Sequence, residues 1–160
     1  TGRIIVASFA SNMHRVQQAA EVAIANGRKV AVVGRSMRKN MNIARNLGYV
    51  ELPEDAIVSP KEAMELPRDR VLVLCTGSQG EPMSALTRIA YGDHANVTVE
   101  RGDTVIISAK PIPGNDPLQD VKVSLIYTAF LFLTFRHIRT DHQRHERLAR
   151  ASLDRHKFLR

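Results

Sequence analysis

The sequence predicts an α/β domain, a mostly parallel sheet flanked by helices, joined to an atypical C-terminal tail. Three observations carry this prediction. Short, continuous apolar runs recur at residues 4–7, 29–33, 71–75 and 104–108, the pattern of strands covered on both faces. Segments with apolar residues at helical spacing separate the first three of these runs. The runs end in turns rich in Gly, Ser or Asn, and strands alternating with helices in this way build parallel sheets.

Each element has its own signals. The first strand, at residues 2–9, contains Ile4-Ile-Val-Ala7 and turns at Ser8-Phe-Ala-Ser-Asn12. Ser11 or Asn12 is placed to cap a helix over residues 14–26, whose apolar positions are Val16, Ala20, Ala23 and Ile24. Asn26-Gly27 stops it, and residues 29–33 form the second strand. Gly34-Arg-Ser36 turns into a second helix over residues 37–47, with Met37, Met41, Ala44 and Leu47 as its buried stripe and Gly48 as its stop. Residues 53–67 are broken, with a short helical pattern at 60–66. Ser59 followed by Glu62 has the form of a capping box there.

The third strand runs into Cys75-Thr-Gly-Ser-Gln-Gly-Glu-Pro-Met-Ser-Ala-Leu-Thr-Arg88. Gly77 and Gly80 bracket Ser78 and Gln79, and Pro82 predicts a helix from there to about Ala90. Strand, Gly-rich turn and helix start would aim free backbone N–H groups and the helix dipole at an anion. The plainer reading is a tight βα turn. Residues 96–99 have the pattern of a short strand, Gly102-Asp103 of a turn and residues 104–108 of the fourth strand. Pro111-Ile-Pro-Gly-Asn115 is a rigid turn that ends the pattern.

At 160 residues the chain is long enough for one domain with a real core. Its single cysteine, Cys75, excludes a disulfide framework and points to a reducing, cytoplasmic setting. The chain opens directly on a strand-like run, with no signal-peptide pattern, as a piece of something longer would. The net charge of +7 is uneven: after residue 116 there are nine Lys/Arg against four Asp/Glu. The basic character therefore belongs mostly to the tail, and it implies an anionic partner only if the tail is functional.

Ligands of parallel sheets bind beyond the strand C-termini. Three loops should meet there, at residues 8–12, 77–81 and 108–115, and all three are rich in Ser, Asn, Gly or Lys. That chemistry suits a nucleotide or a phosphate-bearing polymer. His14 and Arg15, with Ser8, Ser11 and Asn12, make sense as phosphate contacts; the plainer alternative is a surface helix residue at His14. Arg88 reads as a structural charge partner. Glu81 has the position of a general base, but an acid in the first turn of a helix ordinarily serves the dipole. Dinucleotide, P-loop and metal-ligand motifs are absent from the body of the chain.

Four long segments then resemble one family in order. They are Gly2-Arg-Ile-Ile-Val-Ala-Ser-Phe-Ala-Ser-Asn-Met-His-Arg-Val-Gln-Gln18, Arg38-Lys-Asn-Met-Asn-Ile-Ala-Arg-Asn-Leu-Gly-Tyr49, Leu74-Cys-Thr-Gly-Ser-Gln-Gly-Glu-Pro-Met-Ser-Ala-Leu86, and Gly102-Asp-Thr-Val-Ile-Ile-Ser108 with Pro111-Ile-Pro-Gly-Asn115. They are similar to the β-CASP domain of ribonuclease J, over residues 1 to about 115. The resemblance implies a Rossmann-like insert in a metallo-β-lactamase domain, with RNA lying in the cleft between the two. It implies a zinc-dependent nuclease that degrades RNA 5′ to 3′, also cuts internally, and matures ribosomal and messenger RNA. It places Ser8, Phe9, Ser11, Asn12 and His14 at the 5′-monophosphate and base-binding end of the cleft. Thr76, Gly77, Ser78, Gln79, Gly80 and Glu81 then line the cleft wall. It also implies single-stranded RNA as partner, a metallo-β-lactamase domain in cis or in trans, and frequent homo-oligomers.

Two parts of that family are missing. Its zinc ligands lie largely before the point at which this chain starts, and its His-Val-Ser-Gly-His-Ala motif should follow Asn115. A hydrolytic metal site needs several His or Asp ligands in fixed geometry. The expectation is therefore that residues 1–115 form a partial RNA-binding domain with no catalytic or metal-binding residue, inactive alone, with zinc confined to the full-length family. Two other readings remain open: a non-catalytic α/β nucleotide- or RNA-binding module, and an interaction subunit for a separate zinc-domain chain.

Residues 116–160 depart from the family. The uncharged run at residues 123–135 is too short to cross a bilayer, which needs about 20 residues. The basic stretch beyond it has helical character. His142, His145 and Asp141 have a metal-like spacing, but the flanking arginines repel a cation. A reading-frame change or truncation after Asn115 would produce such a break, as would an evolved apolar and basic tail.

Overall fold

A computed structural model describes residues 2–109. In chain order its elements are β1 Ile4–Ala7, α1 Met13–Ala25, β2 Lys29–Val33, α2 Arg35–Asn46, β3 Ile57–Val58, α3 Pro60–Glu65, β4 Val71–Cys75, α4 Ala85–Ala90 and β5 Thr104–Ile107. The strands form one five-stranded sheet in the order β3-β2-β4-β1-β5, and every pairing is parallel. The α/β class with a parallel sheet flanked by helices is thus the observed one.

Strand alternation sorts the core into two layers. Ile5, Ala7, Ala31, Val33, Val71, Val73, Cys75 and Val105 pack on one face with Ala63 of α3 and Ala85, Leu86, Ile89 and Ala90 of α4. Val6, Val30, Val32, Leu72 and Leu74 pack on the other with Val16, Ala20 and Ala23 of α1 and Met37, Met41 and Ala44 of α2. β4 is central and all five of its residues are buried, which is why its sequence is apolar without alternation.

Local chemistry sets the helix ends. Asn12, not Ser11, caps α1: its Oδ1 accepts from Arg15 N at 3.2 Å. Ser59 Oγ accepts from Glu62 N at 3.1 Å at the start of α3, as the sequence predicts. Leu47 departs from the predicted stripe and is 65% exposed. α2 ends at Asn46, the chain turns at Gly48, and Val50 and Leu52 enter the core instead.

Three further differences follow from tertiary packing. Residues 57–58 lie in the stretch read as broken, yet they pair with Val30 and Ala31 as the edge strand β3. Residues 96–99 are not a strand. Val97 and Val99 are buried in the core, so alternate burial is achieved by a segment that crosses the sheet face with no ladder partner. The helix expected from Pro82 starts only at Ala85, capped by Ser84.

One buried ionic cluster ties the strand N-termini together. The Asp103 carboxylate accepts from Arg3 N at 3.0 Å, from Arg3 Nε at 3.1 Å, from Arg68 Nη2 at 2.8 Å and from Glu100 N at 3.0 Å. Arg3 Nη2 also bridges Asp103 at 3.0 Å and Glu100 at 2.8 Å. Burial alone would lower the Arg3 pKa, but the bonds to Asp103 and Glu100 outweigh it and raise it. Asp103→Ala would leave the Arg3 guanidinium buried without its main partner. The expected loss is about 3–5 kcal/mol of unfolding free energy, read from urea denaturation of the full chain.

Burial pushes the Cys75 thiol from 9.0 up to about 12. The folded state therefore keeps a proton that the unfolded chain loses. The contribution is complete below pH 9 and falls as pH rises toward about 12, by about 1.4 kcal/mol per pH unit. Urea denaturation on either side of pH 9 should show this decline in the natural chain, and Cys75→Ala should have a flatter profile over the same window.

Candidate functional site

Parallel register brings the strand C-termini to one edge. Ala7 lies opposite Cys75 and Ile107, and Val33 lies opposite Cys75. The loops that leave these four residues therefore start at the same level. Backbone bonds join them: Ser8 N donates to Cys75 O at 3.0 Å and Ser108 N to Ala7 O at 2.8 Å. α1 and α2 cover one face while α3 and α4 cover the other. The chain therefore leaves β4 toward one face and its neighbours β1 and β2 toward the opposite one, the arrangement that opens a crevice at a parallel sheet's edge.

The structure places the first loop at this edge. Phe9 is 38% exposed and Ser8 is buried. Asn12 N donates to Phe9 O at 3.1 Å, closing the turn. Ser11 and His14 are exposed and Asn12 is half-buried. His14 Nε2 lies 3.2 Å from Gln18 Nε2. Arg15 Nη1 donates to Ser108 O at 2.6 Å, tying α1 to the end of β5. On the other side, Asn40 Nδ2 donates to Ala10 O at 2.7 Å and anchors the loop to α2.

The Gly-rich loop follows β4 at the same edge. Gly77 and Gly80 have φ of 109° and 76°, values that favour glycine. A methyl at Gly77 would also lie 2.8 Å from Leu86 Cβ and collide with Ser84 Oγ. Gly80 N donates to Gly77 O at 3.1 Å, and Gln79 N to Glu81 Oε2 at 3.3 Å. Gly77, Ser78, Gln79 and Gly80 are buried, Thr76 is half-buried and Glu81 is exposed. The side-chain hydroxyls of Ser8 and Ser78 are buried and have no hydrogen-bond partner among the described residues.

The expected anion cradle at the following helix is not there. Thr76 Oγ1 accepts from Ala85 N at 3.3 Å and Thr76 O from Leu86 N at 2.9 Å. Ser84 Oγ accepts from Thr87 N at 3.3 Å and Ser84 O from Arg88 N at 3.1 Å. All four N–H groups of the first turn are taken by the chain itself. This also explains the late helix start: Thr76 and Ser84 supply the caps, while Thr87 Oγ1 holds Glu81 O at 2.8 Å and keeps residues 81–84 in a turn. Arg88 is the structural partner expected, donating to Asp93 O at 2.7 Å.

A fourth loop, the Gly34-Arg-Ser36 turn, which the sequence marks as a turn but not as part of this edge, completes it. Gly34 ends β2 with φ 101°, 2.8 Å being all that would separate a methyl there from Thr76 Oγ1. Between this turn and the Gly-rich loop lies a cavity of about 580 Å³ whose lining includes Arg35, Arg38, Arg88, His94, Thr76 and Glu81. Arg35 and Arg38, one helical turn apart, were legible as a basic pair at a strand C-terminus. His94 carried no local signal, because a long loop brings it in. The expected third loop is described only at Ser108 and Ala109; residues 110–115 and the tail features at 116–160 lie outside the described residues.

Among the described residues, no three His, Cys, Asp or Glu side chains are grouped to hold a metal ion. No helix there is long and apolar enough to cross a membrane. Comparison with known proteins gives this edge a context. The model of the ribonuclease J β-CASP domain matches residues 1–124, which extends past residue 115. The chain is 56% identical to ribonuclease J 1 of Streptococcus pyogenes over 114 residues, 71% of this chain and 20% of that protein. It is 50% identical to ribonuclease J of Helicobacter pylori over 115 residues, 72% of this chain and 17% of that protein. It is 41% identical to ribonuclease J2 of Bacillus subtilis over 127 residues, 79% of this chain and 23% of that protein. The chain thus spans about a fifth of the length of these relatives. With a family match over most of its length and a five-stranded parallel sheet to go with it, the chain belongs to the ribonuclease J family, of which it carries β-CASP domain sequence.

Proposed function

We propose that this chain supplies the RNA-cleft part of a ribonuclease J-like, zinc-dependent nuclease that processes and degrades RNA. The observation that supports it best is the convergence of the Ser8–Asn12 turn and the Gly-rich loop at the β1 and β4 C-termini, within a chain of this family. In this reading the exposed Phe9 ring stacks on the first base, a sequence-tolerant contact. Ser11, Asn12 and His14 take the 5′-phosphate. The Ser8 and Ser78 hydroxyls, which have no partner among the described residues, sit in these two loops. Thr76 to Glu81 form the wall through their backbone, since most of their side chains are buried.

Zinc, where the full-length enzyme holds it, activates a water for phosphodiester hydrolysis. The described residues do not fit that role, and no catalytic step is assigned to them. In this proposal the chain binds RNA but does not cut it, and cleavage awaits a metallo-β-lactamase domain in cis or in trans.

The test is fluorescence anisotropy of short single-stranded RNA carrying a 5′-monophosphate or a 5′-hydroxyl, with the full chain and with Phe9→Ala, Ser11→Ala and His14→Ala. The expected result is a preference for the phosphate that drops in Ser11→Ala and His14→Ala, and weaker binding of both RNAs in Phe9→Ala by about 1–3 kcal/mol. Equal binding of both RNAs, unchanged in all three variants, would overturn it. Incubation of the same RNA with the chain and added zinc is expected to leave it intact.

A further inference from the structure

The cavity between β2–α2 and the Gly-rich loop is cationic for reasons independent of the first loop. Arg35 and Arg38 make no ion pair among the described residues, and the first turn of α2 carries no acidic residue and no side-chain cap. Arg88 enters from α4, held by Asp93 Oδ2 at 3.4 Å and Asp93 O at 2.7 Å. Glu81 is the carboxylate in the lining, and its Oε2 accepts from Gln79 N.

His94 completes the lining with a defined donor. Its Nδ1 accepts from Asn96 N at 3.3 Å and from Val97 N at 3.2 Å, which leaves the ring proton on Nε2. Burial, and then the charges of Arg88 and Arg38, lower its pKa against the opposing charge of Asp93, so the ring is a neutral N–H donor at physiological pH. Guanidinium forks and an imidazole N–H are the donors that a phosphate recognises.

We infer that Arg35, Arg38, Arg88 and the His94 Nε2–H form a phosphate subsite that takes an internal phosphodiester of the RNA strand. This rests on the RNA-cleft reading for the identity of the ligand, but the phosphate chemistry stands on the cavity itself. An internal phosphate carries no information about the 5′ end, so this subsite adds affinity equally to phosphorylated and hydroxyl-ended RNA. The first loop alone tells the two ends apart.

The experiment measures RNA affinity across salt for the full chain, for Arg35→Gln/Arg38→Gln and for His94→Gln, with far-UV circular dichroism as a check on folding. The slope of log affinity against log salt should fall by about 0.7 for each phosphate that the arginine variant no longer neutralises, with the preference for 5′-phosphate unchanged. His94→Gln should weaken both RNAs equally with little change of slope, since it removes a neutral donor. The tail is common to all the proteins and cancels. A second arm follows the His94 Nε2–H resonance by NMR during titration with inorganic phosphate, in the natural chain and in the arginine variant. A saturable shift that the variant lacks supports the subsite even if RNA does not bind, which would then fault only the RNA-cleft reading and point to a free phosphate or nucleotide as the source. An unchanged salt slope in a folded arginine variant, or no His94 response to phosphate, would overturn the subsite.

Discussion

The Asp103 carboxylate is the constraint on which the functional edge depends. It is buried at the N-terminal end of the sheet, yet it holds Arg3, Arg68 and the Glu100 backbone together. That cluster fixes the start of β1 against the start of β5, where Thr104 N donates to Arg3 O at 2.8 Å. Once the strand starts are level, equal strand lengths bring Ala7 and Ile107 level at the far end. A buried ion pair is a poor source of stability compared with an apolar core. This one sits where β1 and β5 begin, and a slip of one residue between them would exchange the two core layers.

The functional edge combines two kinds of loop. The Gly-rich loop is held by bonds within the chain: Thr76 and Ser84 cap α4, and Gln79 N donates to Glu81 within the turn. It shapes the crevice by its backbone. The first loop and the α2 turn leave their side chains available, with Phe9, Ser11 and His14 on one and Arg35 and Arg38 on the other. In the proposed RNA-binding reading, the first kind would shape the cleft and the second would supply the donors and the ring.

Much of this was legible in the residues. β1, β2, β4 and β5 announce themselves as apolar runs because a parallel sheet buries both faces. The Asn12 and Ser59 caps, the Met37, Met41 and Ala44 stripe, and the placing of the first loop beside the Gly-rich loop are local or pattern signals that the structure bears out. β3 was not legible, since two residues are too few to show a period. Residues 96–99 show the opposite failure: alternate burial of Val97 and Val99 looks like a strand whether or not a ladder partner exists.

The fold class, the family, and the first and Gly-rich loops of the functional edge can be read from consecutive residues, because hydrophobic period, turn chemistry and long motifs are local properties. Which groups in those loops already have partners, and that the α2 turn joins them, emerges only when the chain is folded. The α4 N-terminus looks like an anion cradle until Thr76 and Ser84 are seen to occupy its N–H groups. Arg15 is seen to reach Ser108 O across the sheet edge only in the folded chain. Arg35, Arg38, Arg88 and His94 become one cavity only when β2 and β4 are paired. The physical reason is the same in each case: whether a donor is available depends on its non-local hydrogen-bond partners, and chain folding supplies those.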